Sequence, residues 1–317
     1  MKYIDGSAVK ELLRMSNCIE LMKHTLIELS EGRAKQVLRM VMPLGESSFL
    51  GLMPSAISSK QIAGAKVISI FPQNSTRDLP SHQGVVLLFE TETGELKAIV
   101  DGEEITAIRT SAVSAAATEL LARNDSETLA VIGAGVQARY HLEAMLCVRD
   151  IKRVNVWDID YNFASRYAKE MTEKHGLTVT VCKSSTEAIK DADIICAVSA
   201  AAEPVVYGKD IKDGAHINAV GACRANVREL DTEAVIKGRM YADSMESLMN
   251  EAGDFLIPYR EGLVSEDVIT GELGRALSGK IDGRRNDSEI TIFQSLGLGV
   301  YDIAAADFVL KASESNG

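Results

Sequence analysis

The stretch Leu129–Met145 constrains this chain more than any other. Its apolar run Leu129–Ile132 reads as a buried strand, ends in the turn Gly133-Ala134-Gly135-Val136-Gln137-Ala138, and passes into a helical pattern. In such a G-x-G-x-x-A turn the first glycine permits a tight bend and the second lets the backbone approach a pyrophosphate. The small third residue lets helix and strand pack closely. The helix N-terminus then offers N–H groups and the positive end of its dipole to phosphates. About twenty-five residues after Gly133, the run Arg153–Trp157 reads as a second strand ending in Asp158, where an acid meets the adenosine ribose hydroxyls. The plain alternative is a structural turn; the second strand and its terminal acid favour a dinucleotide site.

From Leu129 onward strands and helices alternate. Strands are expected near 129–132, 153–157, 178–182, 194–198, 216–220 and 239–242, with helices near 136–147, 161–175, 185–190 and 229–236. Such alternation predicts an α/β fold, a Rossmann-type doubly wound parallel sheet whose ligand lies beyond the strand C-termini. The loops Val198-Ser199 and Val220-Gly221 are therefore expected to line the nicotinamide end.

The first third is different. A helical region to about Arg33, with Ser7 as a candidate cap, precedes β-like stretches at Val37–Met42, Phe49–Pro54 and Ile62–Phe71. Residues 72–80 read as a loop, and Val85–Glu90 and Leu96–Asp101 flank a Thr91–Gly94 hairpin signal. This predicts a separate, smaller α+β domain built on its own sheet. The Ala- and Ser-rich helix 103–122 reads as a close-packed connector, the alternative being a helix chosen only for propensity. After Ile290 a strand or turn leads into a final helix that folds back onto the first domain. The expected division is 1–115 completed by about 291–317, and 116–290 for the dinucleotide.

A net charge of −11 argues against nucleic acid or an anionic membrane as partner. The five scattered cysteines contain no C-x-x-C pair, so reduced thiols are expected, with neither a disulfide frame nor a metal site. With no basic-then-apolar leader and no membrane-length apolar run, the expectation is a cytoplasmic protein. Lys66 is embedded in an apolar strand and Arg109 lies in a helix of small residues, so an acidic protein that buries them needs an anion to neutralise them.

Further pieces extend the pattern along the chain: Arg39, Leu52–Pro54, Lys66 with Phe71-Pro72, Leu79–Gly84, Asp101, Ile105–Ser114, His216–Gly221 and Ser295–Gly297. With the Gly133–Ala138 turn, these resemble the ornithine cyclodeaminase/μ-crystallin family over essentially the full length. The resemblance implies a homodimer, a substrate and dimerisation domain built from both chain ends, a Rossmann-type domain for NAD(H) or NADP(H), and a small amino or imino acid substrate held by its carboxylate. Arg39, Lys66 and Arg109 match the family's basic residues, with Ser81 and Cys223 also facing substrate. Lys66 is the first candidate proton donor and His82 the second. Thr110, Gly133, Ala134, Gly135, Val136, Gln137, Asp158, Val198, Ser199, Val220, Gly221, Ser295 and Gly297 are the expected cofactor residues.

One departure bears on activity. Cyclodeaminases and related archaeal alanine dehydrogenases carry an aspartate after the N-A-x-G turn, and here Cys223 stands in its place. Losing that acid favours reduction of 2-imino acids or cyclic ketimines, such as Δ1-pyrroline-2-carboxylate, to L-amino acids. Ornithine cyclodeamination, alanine- or opine-type dehydrogenation, and a non-catalytic nucleotide-binding protein remain alternatives. Asp158, with Asp160 nearby, can accept from the ribose hydroxyls and would repel a 2′-phosphate, which favours NAD(H), although Lys152 and Arg153 soften the repulsion.

Overall fold

The computed structural model describes residues 1–77 and 79–315, except the side chains of 75 and 76. The chain divides into two compact units, Met1–Arg109 with Leu298–Gly317, and Thr110–Gly297. The expected borders at 115/116 and 290/291 thus move, because residues 291–294 are a central strand of the second unit's sheet.

The first unit is built on a seven-stranded sheet. Its strands are β1 (Lys2–Ile4), β2 (Ala34–Gln36), β3 (Met40–Pro43), β4 (Phe49–Ile57), β5 (Ile62–Ile70), β6 (His82–Glu90) and β7 (Leu96–Asp101), in the order β1-β7-β6-β5-β4-β2 with β3 also on β4. Helices α1 (Gly6–Leu12) and α2 (Met15–Ser30) replace the single N-terminal helical region, and the α1 cap is Asp5, not Ser7. The carboxylate of Asp5 accepts the Ala8 amide at 2.9 Å, while Ser7 only donates its hydroxyl to the same acid. The expected strand 37–42 is also redrawn. Arg39 lies between β2 and β3, which pair separately with β4.

Alternate residues of β4, including Met53 and Ile57, are buried, as a period of two requires for a sheet covered on one face. The cover is the C-terminal helix Gly299–Ser315, which packs across β4, β5 and β6. It approaches so closely that a Cβ on Gly299 would lie 2.6 Å from the Met53 carbonyl, and one on Gly64 would lie 3.0 Å from Ile303. Helix α3 (Gly102–Leu121) follows β7 and carries the chain from the first unit into the second.

The second unit holds eight parallel strands: β8 (Thr128–Ile132), β9 (Arg153–Trp157), β10 (Thr178–Val181), β11 (Ile194–Ala197), β12 (His216–Ala219), β13 (Gly238–Ala242), β14 (Ile269–Glu272) and β15 (Ile290–Gln294). Their order is β10-β9-β8-β11-β12-β15-β13-β14, two strands more than the alternation predicts. The intervening helices are α4 (Val136–Val148), α5 (Tyr161–His175), α6 (Ser185–Ile189), α7 (Thr232–Lys237), α8 (Met245–Glu251), α9 (Gly253–Arg260) and α10 (Leu273–Leu277). Every residue of β8, β11, β12 and β15 is buried, the mark of a parallel sheet covered on both faces. The succession β8, β9, β10 runs to one side and β11 resumes on the other, so the direction reverses between β8 and β11. Ligands bind beyond the strand ends at such a switch point.

Candidate active site

At that switch point the loop after β8 is the glycine turn. Gly133 has φ +101°, and a Cβ there would meet Ser199 and the Val198 carbonyl at 3.0 Å. That conformation and that approach both exclude a side chain. Gly135 differs: it is the N-cap of α4, has an ordinary φ of −80°, and a Cβ there would meet nothing within 4 Å. No side chain caps α4, so its first-turn amides face the space that Gly135 leaves open. Uncapped amides beside a position with no Cβ are the donor set that a pyrophosphate takes. Asp158 directly follows β9, where its Oδ2 accepts the Ala134 amide at 2.8 Å and its Oδ1 accepts the Asp160 amide at 2.9 Å. The acid braces the glycine turn, and Asp160 caps α5.

The neighbouring loops are held by acids that the sequence analysis missed. Ser199 and Gly221 both donate to Glu229, a fully buried carboxyl in the segment before α7. The expected helix 229–236 in fact starts at Thr232, capped by Asp231. Burial pushes Glu229 up to about 8 and the adjacent Asp254 up to about 6. Asp243 accepts the Leu296 and Gly297 amides at 2.8 and 3.0 Å, and the Ser295 amide donates to the Ala219 carbonyl. The Val198 and Val220 amides continue the ladder by donating to the Ile132 and Ala197 carbonyls. Cys223 is half-buried, with its amide on the Gly221 carbonyl. Val136 and Gln137 open α4, and Thr110 is the first residue of the second unit.

In the first unit, β5 carries Lys66 and α3 carries Arg109, each only 3% exposed. The anion that the sequence calls for is in part internal. Asp302, fully buried on the C-terminal helix, accepts Arg109 Nε at 2.9 Å and lies 3.0 Å from Lys66 Nζ. Lys66 also donates to Thr106 Oγ1 at 3.3 Å. Two buried cations thus share one carboxylate, and the Arg109 guanidinium lies 5.9 Å from the Tyr301 ring centroid. Burial is the main cause that lowers Lys66 to about 8; Arg109 and Arg39 add to it and Asp302 opposes it. His82 begins β6, with Ser81 Oγ 2.9 Å from its Nδ1. Desolvation and the Lys66 charge lower its pKa. Lys66, Arg109 and an acid are therefore one cluster. Among the described residues no His, Cys, Asp and Glu group converges as a metal site, and no helix is long and apolar enough to cross a membrane.

The family model for ornithine cyclodeaminase/mu-crystallin proteins matches residues 4–317. The chain belongs to the ornithine cyclodeaminase/mu-crystallin family. Within it, the chain is 35% identical to a Bacillus cereus protein named Delta(1)-pyrroline-2-carboxylate reductase, an alignment that covers 100% of this chain and 98% of the relative. Among solved structures, it matches the Thermococcus litoralis Delta(1)-pyrroline-2-carboxylate reductase in complex with NADH and L-proline. The TM-score is 0.97 at 38% identity, with 100% of this chain and 98% of that one covered. An archaeal alanine dehydrogenase dimer with bound NAD matches at TM-score 0.93 and 28% identity, covering 99% and 96%.

Proposed function

We propose that this family member is an NAD(H)-dependent reductase of small cyclic 2-imino acids, with Δ1-pyrroline-2-carboxylate reduced to L-proline. The observation that carries the reading is the Lys66–Asp302–Arg109 cluster, in which two buried cations share one acid and keep charge for an incoming carboxylate. The full-length likeness to the B. cereus and T. litoralis reductases supports it. Cys223 in place of an acid disfavours ornithine cyclodeamination, which needs a group to deprotonate an ammonium. The first unit is assigned to substrate and dimerisation and the second to the dinucleotide.

Gly133–Gln137 and Asp158 would hold the pyrophosphate and ribose, and the loops at Val198-Ser199, Val220-Gly221 and Ser295–Gly297 the nicotinamide end. When bound, the reduced nicotinamide supplies a hydride to the C=N carbon. Arg109 and Arg39 take the substrate carboxylate, since a guanidinium fork matches its two oxygens. Lys66 Nζ holds a proton for the imine nitrogen. With its pKa near 8, the ammonium is present at neutral pH yet gives up its proton readily, and burial stabilises the neutral amine left behind. His82, beside Ser81, is the second candidate donor.

Asp158 supports NADH over NADPH, because a carboxylate braced at the turn accepts ribose hydroxyls and repels a 2′-phosphate. A second copy of the chain is the proposed partner. All of β3 is exposed, with Met40, Val41 and Met42 at 51%, 51% and 54%, an apolar strand that a partner would cover. Five free cysteines accord with the cytoplasm. The test is NADH absorbance loss with Δ1-pyrroline-2-carboxylate, Δ1-piperideine-2-carboxylate, and pyruvate plus ammonia, repeated with NADPH. The reading expects the cyclic imines with NADH to be fastest. Preference for pyruvate plus ammonia would replace it with alanine dehydrogenation.

A further inference from the structure

Glu229 has no exposed surface, yet among the described residues no arginine or lysine is bonded to its carboxyl. Its partners are all donors from two loops. The Ser199 amide and hydroxyl donate to Oε1 at 2.7 and 2.6 Å, and the Gly221 amide donates to Oε2 at 2.7 Å. Ser199 lies in the loop after β11 and Gly221 in the loop after β12, on neighbouring strands. The two loops also touch directly, since a Cβ on Gly221 would fall 2.1 Å from the Ser199 carbonyl and 2.5 Å from Glu229 Oε2. Ser199 in turn is the residue against which Gly133 packs. Three loop ends therefore meet at Ser199, and one carboxyl sets its place.

The carboxyl is itself held from behind. The Glu229 and Leu230 amides both donate to Asp254 Oδ1 at 2.8 Å, and Gln294 Nε2 donates to Asp254 Oδ2 at 3.1 Å. The Glu229 carbonyl accepts the Val205 and Val206 amides. A side chain fixed on both its backbone groups can hold its loops to a fraction of an ångström, whereas an exposed one could not.

We propose that Glu229 is a positioning residue for the nicotinamide half of the dinucleotide, acting through Ser199 and Gly221 and leaving the adenosine half to Gly133–Gln137 and Asp158. This rests on the proposed assignment of the loops after β11 and β12 to the nicotinamide. The chemistry demands an acid and not an amide. A carboxyl in either protonation state can accept both backbone N–H groups, because a proton on Oε1 can point at the Ser199 hydroxyl. In Glu229→Gln one of the two positions becomes an NH2 that meets a backbone N–H, so one amide donor loses its acceptor whichever way the side chain is turned.

The test is binding, which needs no turnover. NADH is titrated by its own fluorescence, and ADP-ribose, which carries no nicotinamide, is titrated by competition. For Glu229→Gln the expected result is NADH binding weaker by about tenfold, with a clearly smaller loss for ADP-ribose, which meets only the Gly133 turn that packs on Ser199. Ser199→Ala removes the hydroxyl's bond to Glu229 and its acceptance of the Ala201 amide at 3.2 Å, keeps both backbone donors to Glu229, and should weaken NADH by a smaller factor in the same sense; it decides the matter if Glu229→Gln does not fold. Unchanged NADH binding, or an equal loss for NADH and ADP-ribose, overturns the proposal. A protein that binds NADH but reduces no imine would remove the reductase reading and leave this ratio fully readable.

Discussion

Asp302→Asn separates the electrostatic role of the internal acid from its role in folding. The substitution keeps the shape of the side chain and removes the charge shared by Lys66 and Arg109, which lie 3.0 and 2.9 Å away. Breaking a buried pair ordinarily costs about 3–5 kcal/mol. Here the lysine has an escape. With a pKa of about 8 it sheds its proton at pH 7 for about 1.4 kcal/mol, which caps its share of the cost, so the variant should fold and suffer chiefly in catalysis. Loss of an adjacent opposite charge lowers such a pKa further, by about 1–3. The proton donor is the charged form, so activity is present below the pKa and lost above it. At pH 7 about nine-tenths of Lys66 is charged in the parent, against about half to one-hundredth in the variant. The assay is kcat/KM for imine reduction from about pH 5 to 9. The parent should lose activity as pH rises through about 8, whereas the variant should lose it at lower pH, be about 2- to 90-fold slower at pH 7, and recover to within about twofold at pH 5. The imine titrates identically in both reactions, so the difference belongs to the protein. An alkaline limb that stays in place in Asp302→Asn would refute the role given to Lys66.

Lys66→Met should lower turnover by about 10²- to 10⁴-fold while NADH titrates as in the parent; near-normal turnover would pass the proton to His82 or to solvent. Arg109→Lys keeps the charge and loses the fork, so KM for the imine should rise about tenfold or more with a smaller change in kcat, and an unchanged KM would remove Arg109 from the carboxylate site. Gly135→Ala adds a Cβ where no protein atom lies within 4 Å and where φ is already ordinary. Thermal denaturation of the free protein should therefore move by less than about 1 kcal/mol, while NADH affinity collapses. Parent-like NADH binding would show that this space is not the pyrophosphate site.

What was legible in the sequence was local. The Gly133–Ala138 turn, the strands around it and the buried setting of Lys66 each follow from a few adjacent residues. Asp302 was out of reach because it is 236 positions from Lys66, on a helix whose neighbours are almost all buried and apolar. An acid in the first turn of such an apolar helix was the signal available, since a buried carboxylate needs a cation. Glu229 lay in plain sight two residues before a helix cap and read as helix, because its partners Ser199 and Gly221 are brought to it only by the parallel pairing of β11 and β12. Strand β14 escaped detection for a local reason. It is four half-buried residues long, with Gly271 at φ +142° beside a register shift. The Val37–Met42 run reads as one strand because an exposed apolar strand such as β3 has the same composition as a buried one.

The most direct test of the central claim follows the hydride itself. NADH carrying deuterium at C4 is mixed with Δ1-pyrroline-2-carboxylate, and the proline formed is examined by mass spectrometry and by chiral analysis. The account predicts L-proline with one deuterium at C2 for each NADH consumed. Unlabelled proline, or proline formed from ornithine with ammonia release and no net loss of NADH, would contradict it.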